Sequence, residues 1–436
     1  MTSKVYFMDD RAMAPEESLV AKMLTVAEAA GFDEIIEPGK TVAIKLHMGE
    51  YNNTAYLRPS YVRALVDKVK ALGGEPVVMD TTTLPYLPFP SRATAVDYLK
   101  TVERNGFNSG TVGCPIVVAD GFVGTDDVRL DLPEGFVLKE QYVATGFALA
   151  DAMIVLSHFK GHPLGTFGGS IKNMGVGCAS KRGKLNLHLG GHPKYGLKAR
   201  PFNPHMCRGK ECERWMLCQT CCPRYCFTVT EHSIEWNRDK CVGCFACLFV
   251  TMLCGVFGVV EDFFDVSAAG IADSALAVTK TFLPNKIGYI NMAIDISPWC
   301  DCVNFSDRAF VPNLGVFASK DPVAVDRACI DMARDSIGMP GSIAEEKGAI
   351  SPGIPKFSAC ASFLGVSENI QIKTGERIGL GSLDYELVHQ KPGDPTKFLF
   401  TTVPAGLKFG PYFEKTPIYP EGGFRQLMEV PIEEVR

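Results

Sequence analysis

The sequence predicts an α/β fold, a mostly parallel sheet body interrupted by a small cysteine-rich module. Three observations lead there. Short apolar runs alternate with amphipathic stretches over the first half of the chain, the pattern of strands joined by crossover helices. The alternation breaks where ten of the 16 cysteines crowd between Cys207 and Cys254. It then resumes, so the module is an insertion rather than a terminal addition. A chain of 436 residues that is 46% hydrophobic and 21% charged supports a large core and is not disordered. The net charge of −5 comes without long charge runs, which opposes non-specific nucleic-acid binding. No apolar run reaches membrane-spanning length, and Met1 to Arg11 has no signal-peptide core. A cytoplasmic protein without membrane or nucleic-acid partners is expected.

In chain order, Lys40–Leu46 predicts a buried strand and Pro59–Leu72 an amphipathic helix with proline near its start. Gly73–Gly74 stops that helix. Pro76–Met79 and Ile116–Ala119 predict further strands, and Asp151–Ser157 the clearest later one. After the module come a helix at Ile271–Thr281, strands at Lys286–Ile294 and Leu314–Ala318, and a helix at Pro322–Ala333. Asp321 caps that last helix, with Pro322 at its first position. The predicted division is 1–202 and 261–436 for the body, the latter with a C-terminal extension, and 203–260 for the module. No heptad is visible, and a homo-oligomer stays open.

Cys241, Cys244 and Cys247 follow one another at x2 spacing, with Cys254 beyond. Upstream stand Cys218, Cys221, Cys222 and Cys226, and before them Cys207 and Cys212. Short spacing of this kind turns successive thiolates inward around an iron–sulfur cube. Zinc is the rival, because its four-cysteine sites also use C-x2-C pairs.

The second dense region is Ser157–Lys184. His158, Lys160 and His162 precede Gly168, Gly169, Lys172 and Asn173, and His188 follows. Strand, glycine-rich loop and helix start in that order predict an anion site beyond a strand's carboxyl end. His47 and Asp80 each follow a predicted strand and join the same crevice. Tyr86 and Arg92 come next. The histidines supply proton-transfer groups and the lysines positive charge. Cys300 and Cys302 flank Asp301 and predict a metal-ligating, cluster-protecting or redox pair.

The cysteine module resembles a two-cluster bacterial ferredoxin domain. If the crossed pattern of that family holds, Cys226 joins Cys241, Cys244 and Cys247 on one cube. Cys254 then joins Cys218, Cys221 and one of Cys222 or Cys212 on the other. Arg224 stands where a third x2-spaced cysteine is usual, and neither Cys226 nor Cys254 precedes proline. From Val42 to about Leu380 the chain resembles the iron–sulfur centre proteins of the domain-of-unknown-function family numbered 362. The marks are AIKLHMGE at Ala43–Glu50, MDTTTLPY at Met79–Tyr86, the block from His158 to Lys184, CDC at Cys300–Cys302, and LGVFASKDPVAVD at Leu314–Asp326. This resemblance implies an α/β body with a ferredoxin-like iron–sulfur insertion. The His/Gly/Lys loop is also distantly similar to the catalytic region of the lactate racemase family, which uses a nickel-pincer nucleotide.

The expected function is an iron–sulfur oxidoreductase with two [4Fe-4S] clusters. A low-potential donor such as a ferredoxin would deliver electrons to a small anionic molecule in the crevice. His47, His158, His162 and Lys172 would be catalytic there, with Asp80, Lys160, Gly168, Gly169 and Asn173 binding the substrate or an additional organic or metal cofactor. The alternatives are an electron carrier or iron–sulfur assembly factor, and a cofactor-dependent isomerase or racemase.

Overall fold

The computed structural model describes residues 2–84, 91–247, 254–258, 260–361, 365–398, 403–416 and 418–434. The strands in chain order are β1 (Ser3–Met8), β2 (Thr41–Lys45), β3 (Glu75–Asp80), β4 (Ile116–Val118), β5 (Asp127–Asp131), β6 (Glu140–Ala144), β7 (Ala152–His158), β8 (Lys160–His162), β9 (Thr166–Gly168), β10 (Phe227–Val229), β11 (Ile234–Trp236), β12 (Ile287–Ala293), β13 (Gly315–Ser319) and β14 (Tyr385–His389). Eight of them form one sheet in the order β14-β1-β13-β12-β7-β2-β3-β4. The run from β12 through β7, β2 and β3 to β4 is parallel. The exception is β13, which lies antiparallel to both β12 and β1. The sheet is therefore mixed but mainly parallel.

The alternating side chains of the strands divide between two cores. Ala43, Met79, Met153 and Val155 enter one cluster; Val42, Ile44, Val78, Ile154 and Leu156 enter the other. A sheet covered on both faces needs apolar residues at every position, which is why β7 and β12 are buried throughout. The helix Pro59–Ala71 crosses from β2 to β3, as its periodicity predicts. Asp321 accepts hydrogen bonds from the backbone N–H groups of Val323 and Ala324 and so caps the helix Pro322–Asp335. The helix Phe263–Thr279 is longer than its apolar pattern predicts and almost wholly buried. Its small residues allow close packing: a Cβ on Gly175 would collide with the Ile271 carbonyl.

Three consecutive parallel strands, β3, β2 and β7, end at one edge of the sheet. That edge receives His47, Asp80 and His158 from three separate parts of the chain. The glycine-rich stretch after β7 is not an open loop. It folds into a hairpin of β8 and β9, followed by the short helix Ser170–Gly175.

The cysteine-rich segment corrects one expectation. No distinct ferredoxin-like subdomain is identifiable among the described residues. Its described residues form the short α-helix Trp215–Thr220, two 3-10 turns and the two-stranded pair β10–β11. It belongs to the larger of the chain's two compact units, Met1–Gly393; the second is Asp394–Arg436. The second unit contains the helix Ala405–Lys415. Among the described residues, no helix is long and apolar enough to cross a membrane.

Candidate functional site

A cavity of about 170 Å³ lies at the carboxyl ends of β2, β3 and β7. It is lined by all of the predicted crevice residues: His47, Asp80, His158, Lys160, His162, Gly168, Gly169, Lys172 and Asn173. Lys45, Glu50, Arg92, Lys184, His188 and Cys302 also line it, together with apolar residues such as Leu84, Leu164 and Ile271. Tyr86 lies outside the described residues. Strand-end geometry is what made these distant positions legible together.

The wall is rich in cations, and most of them are tied down. Lys45 pairs with Asp80 at 3.0 Å and reaches the Asn173 side-chain oxygen at 2.8 Å. The Tyr98 hydroxyl donates to the other Asp80 oxygen at 2.6 Å. Arg92 pairs with Glu50 at 2.9 Å, both side chains buried. Lys160 pairs with Asp301 at 3.2 Å, and Asp301 also faces His158 Nδ1 at 2.9 Å. The Ile294 carbonyl lies 2.8 Å from His158 Nε2. Both nitrogens of His158 are therefore engaged within the protein, which leaves neither open to a substrate. Burial opposes the charge on Asp301, but His158 and Lys160 outweigh it and hold the carboxyl well below the usual range. Asp301 is the residue that sequence reasoning missed. Its sole signal was its position inside the Cys300–Cys302 motif.

Lys172, like Lys184, differs from the ion-paired cations of the wall. No carboxylate among the described residues pairs with it, and its amine lies 3.8 Å from Cys300 Sγ. Burial, and then repulsion from Lys160, push its pKa well below that of an ordinary lysine; Asp301 offsets this only in part. Burial in that position disfavours the charged amine. Burial also lowers His47, aided by Arg92, and His162, aided by Lys172. His188 falls to about 3, again through burial and Lys172.

The hydrogen bonds fix which nitrogen these neutral rings present. His47 Nδ1 accepts the Gly49 backbone N–H at 3.0 Å, and His162 Nδ1 accepts that of Gly165 at 2.9 Å. A backbone amide can only donate, so Nδ1 is unprotonated and the proton sits on Nε2. Both imidazoles are neutral Nε2–H donors.

The start of the helix bearing Lys172 is closed by protein. Asp326 accepts the N–H groups of Ser170 at 2.7 Å and Ile171 at 2.9 Å. A side chain at Gly169 would collide with that carboxylate, which explains glycine there. The donors expected to bind an anion at this helix start are thus already used. The cavity's capacity for anions resides in its side chains.

The iron–sulfur expectations are corrected by the positions of the cysteines. Among the described residues, the one group of histidine, cysteine and carboxylate atoms that converges to within 4.8 Å is His162, Cys300 and Cys302. No such set forms from Cys218, Cys221, Cys222, Cys226, Cys241, Cys244, Cys247 and Cys254. Cys221, Cys222, Cys226, Cys241 and Cys247 sit in an apolar cluster with Phe227, Phe245 and Phe257. Cys218 packs at its margin, Cys244 is half-buried and Cys254 is exposed. Burial pushes Cys221 and Cys226 up to about 12. The two [4Fe-4S] clusters, and with them the iron–sulfur oxidoreductase and its electron supply, are set aside. The cluster-based carrier and assembly readings go with them.

Fold and cavity together define an α/β protein with a ligand crevice at the carboxyl edge of its sheet. The profile of a family described as "Domain of unknown function (DUF362)" matches residues 42–331, and the chain belongs to that family. The chain matches none of the curated proteins compared with it. Among solved structures it is similar to the lactate racemase apoprotein from Thermoanaerobacterium thermosaccharolyticum, with a TM-score of 0.39 and 12% identity over 96% of this chain and 91% of that one. A likeness that low leaves the functional reading to the site itself.

Proposed function

We propose that the cavity is the active site of an enzyme that moves a proton on a small organic acid, in the manner of an isomerase or racemase. The observation that carries this reading is Lys172, a buried amine with no carboxylate partner among the described residues and with its charged form disfavoured by burial. Lys172 Nζ would take the proton from the substrate. The Nε2–H groups of His47 and His162 would donate to the oxygen where negative charge develops. The ion-paired Lys160 and Arg92 supply the field that draws an acid into the cavity. His158, engaged on both nitrogens, positions Asp301 and through it Lys160. A volume of about 170 Å³ suits a small acid better than a nucleotide.

The reading is tested by incubating the full-length protein with a panel of small carboxylic and phosphorylated acids in D2O. Mass spectrometry then follows deuterium entering carbon positions. Uptake on one class of acid, abolished in Lys172→Ala, is expected. Uptake on none of them, or uptake indifferent to Lys172, would sink the proposal.

A further inference from the structure

The turn Cys300-Asp301-Cys302 carries chemistry that proton transfer does not use. The two sulfurs are joined in a disulfide between α-carbons 5.2 Å apart. They are not equivalent. Cys300 has no exposed surface, whereas Cys302 is partly exposed and lines the cavity. The buried sulfur is also the one provided for. Cys300 Sγ accepts the Cys302 backbone N–H at 3.2 Å and lies 3.8 Å from Lys172 Nζ. A thiolate released at Cys300 would find both donors in place, and a better-stabilised thiolate is a better leaving group.

We propose that Cys300 and Cys302 form a dithiol–disulfide exchange site for small anionic thiols and disulfides, with Cys302 the attacked sulfur and Cys300 the leaving group. In the reducing direction, an external thiolate forms a bond to Cys302 Sγ. The Cys300–Cys302 bond breaks, and its electron pair leaves on Cys300 Sγ, which then takes a proton from solvent. A second external thiolate attacks the external sulfur of the mixed disulfide and releases Cys302. Two external thiols are oxidised to one disulfide, and the protein gains two electrons and two protons. The reverse reaction uses a small disulfide as oxidant.

The charge preference follows from the wall around Cys302. Lys45, Lys160, Lys172 and Arg92 face the same cavity. Asp301 stands between the two cysteines, but its carboxylate is engaged by His158 and Lys160. Asp80, Glu50 and Asp301 offset Lys45, Arg92 and Lys160, so the cationic excess of this wall rests on Lys172 and Lys184, which pair with no carboxylate among the described residues. The proposal does not rest on the proton-transfer reading, and its test needs no knowledge of the substrate acid.

The disulfide form of the full-length protein is treated separately with mercaptoacetate, which is anionic, and cysteamine, which is cationic. Samples are alkylated at intervals, and the peptide spanning 300–302 is read by mass spectrometry apart from the other cysteines. Rates are divided by those of the same thiols on a small free disulfide. The anionic thiol should be favoured by about tenfold or more, and the preference should shrink in concentrated salt. Equal rates, a cationic preference or no reaction with either thiol would overturn the assignment. In Cys300→Ser, oxidised glutathione should leave an adduct on Cys302, while Cys302→Ser should leave none on Cys300. Equal adducts on both, or an adduct on Cys300 alone, would also overturn it.

Discussion

The strand-end cavity and the cysteine-rich segment are equally conspicuous in the sequence, yet they meet different ends in the fold. In the cavity, His47, Asp80, His158 and Lys172 come from separate stretches, and the parallel strands β2, β3 and β7 bring them to one wall. In the segment between Cys207 and Cys254 the cysteines are neighbours already, and five of the eight predicted ligands turn into an apolar cluster. Proximity in sequence did not produce convergence, while sheet topology did. A spacing motif specifies which residues are near one another along the chain. Only the backbone decides whether their reactive atoms point inward together.

That contrast is sharpest at Lys172. Lys172→Ala should cut proton exchange on the substrate acid by about 10²–10⁴-fold, the usual worth of a general base, read as deuterium uptake. Lys172→Arg should not rescue it, because guanidinium stays charged. Next come the fixed ion pairs. Asp301→Asn leaves Lys160 without its carboxylate, and Arg92→Ala strands Glu50 in a buried place. Each should lower unfolding free energy by about 3–5 kcal/mol in urea titration. In the cysteine cluster the effect should be smaller and purely structural. Cys241→Ser places a hydroxyl in an apolar setting, at about 1–3 kcal/mol, and should leave acid binding in the cavity unchanged by calorimetry. A loss of acid binding in that variant would show that the two regions are coupled and would break the comparison.

The mildest effect concerns pH. Lys184 is lowered from 10.5 to about 8, chiefly by burial. Between those values the unfolded chain holds a proton that the folded chain lacks. Stability should therefore rise with pH across that window, by a slope of at most one proton. Lys184→Met should flatten the contribution, measured by urea titrations at stepped pH.

Much of the body was legible because burial on both sheet faces writes itself as unbroken apolar runs. Ala152–His158 and Ile287–Ala293 lie within a residue or two of their predicted bounds. The antiparallel turn of β13 was not legible, since an apolar run carries no direction. Neither was β14, where a half-exposed edge strand lacks a strong apolar signal. In the site, residue type and strand-end position brought the histidines and lysines together. Their states came from partners remote in sequence. His158 meets Asp301, and the helix start of Lys172 meets Asp326. His47 is different: its tautomer is set by Gly49, only two residues on, through a turn whose geometry residue type alone does not display.

The placement of β1 sets a timetable for the chain's assembly. Residues 3–8 are made before the strands they pair with, residues 315–319 on one side and 385–389 on the other. The opening segment must wait, unpaired, while more than three hundred residues are made. The β2, β3 and β4 neighbourhood can close early from local pieces, whereas the opposite margin depends on contacts of very long sequence separation and gathers slowly. A truncated product ending before residue 385 would carry an uncovered edge along β1, so a strand made well before its neighbours is protected only when β14 arrives.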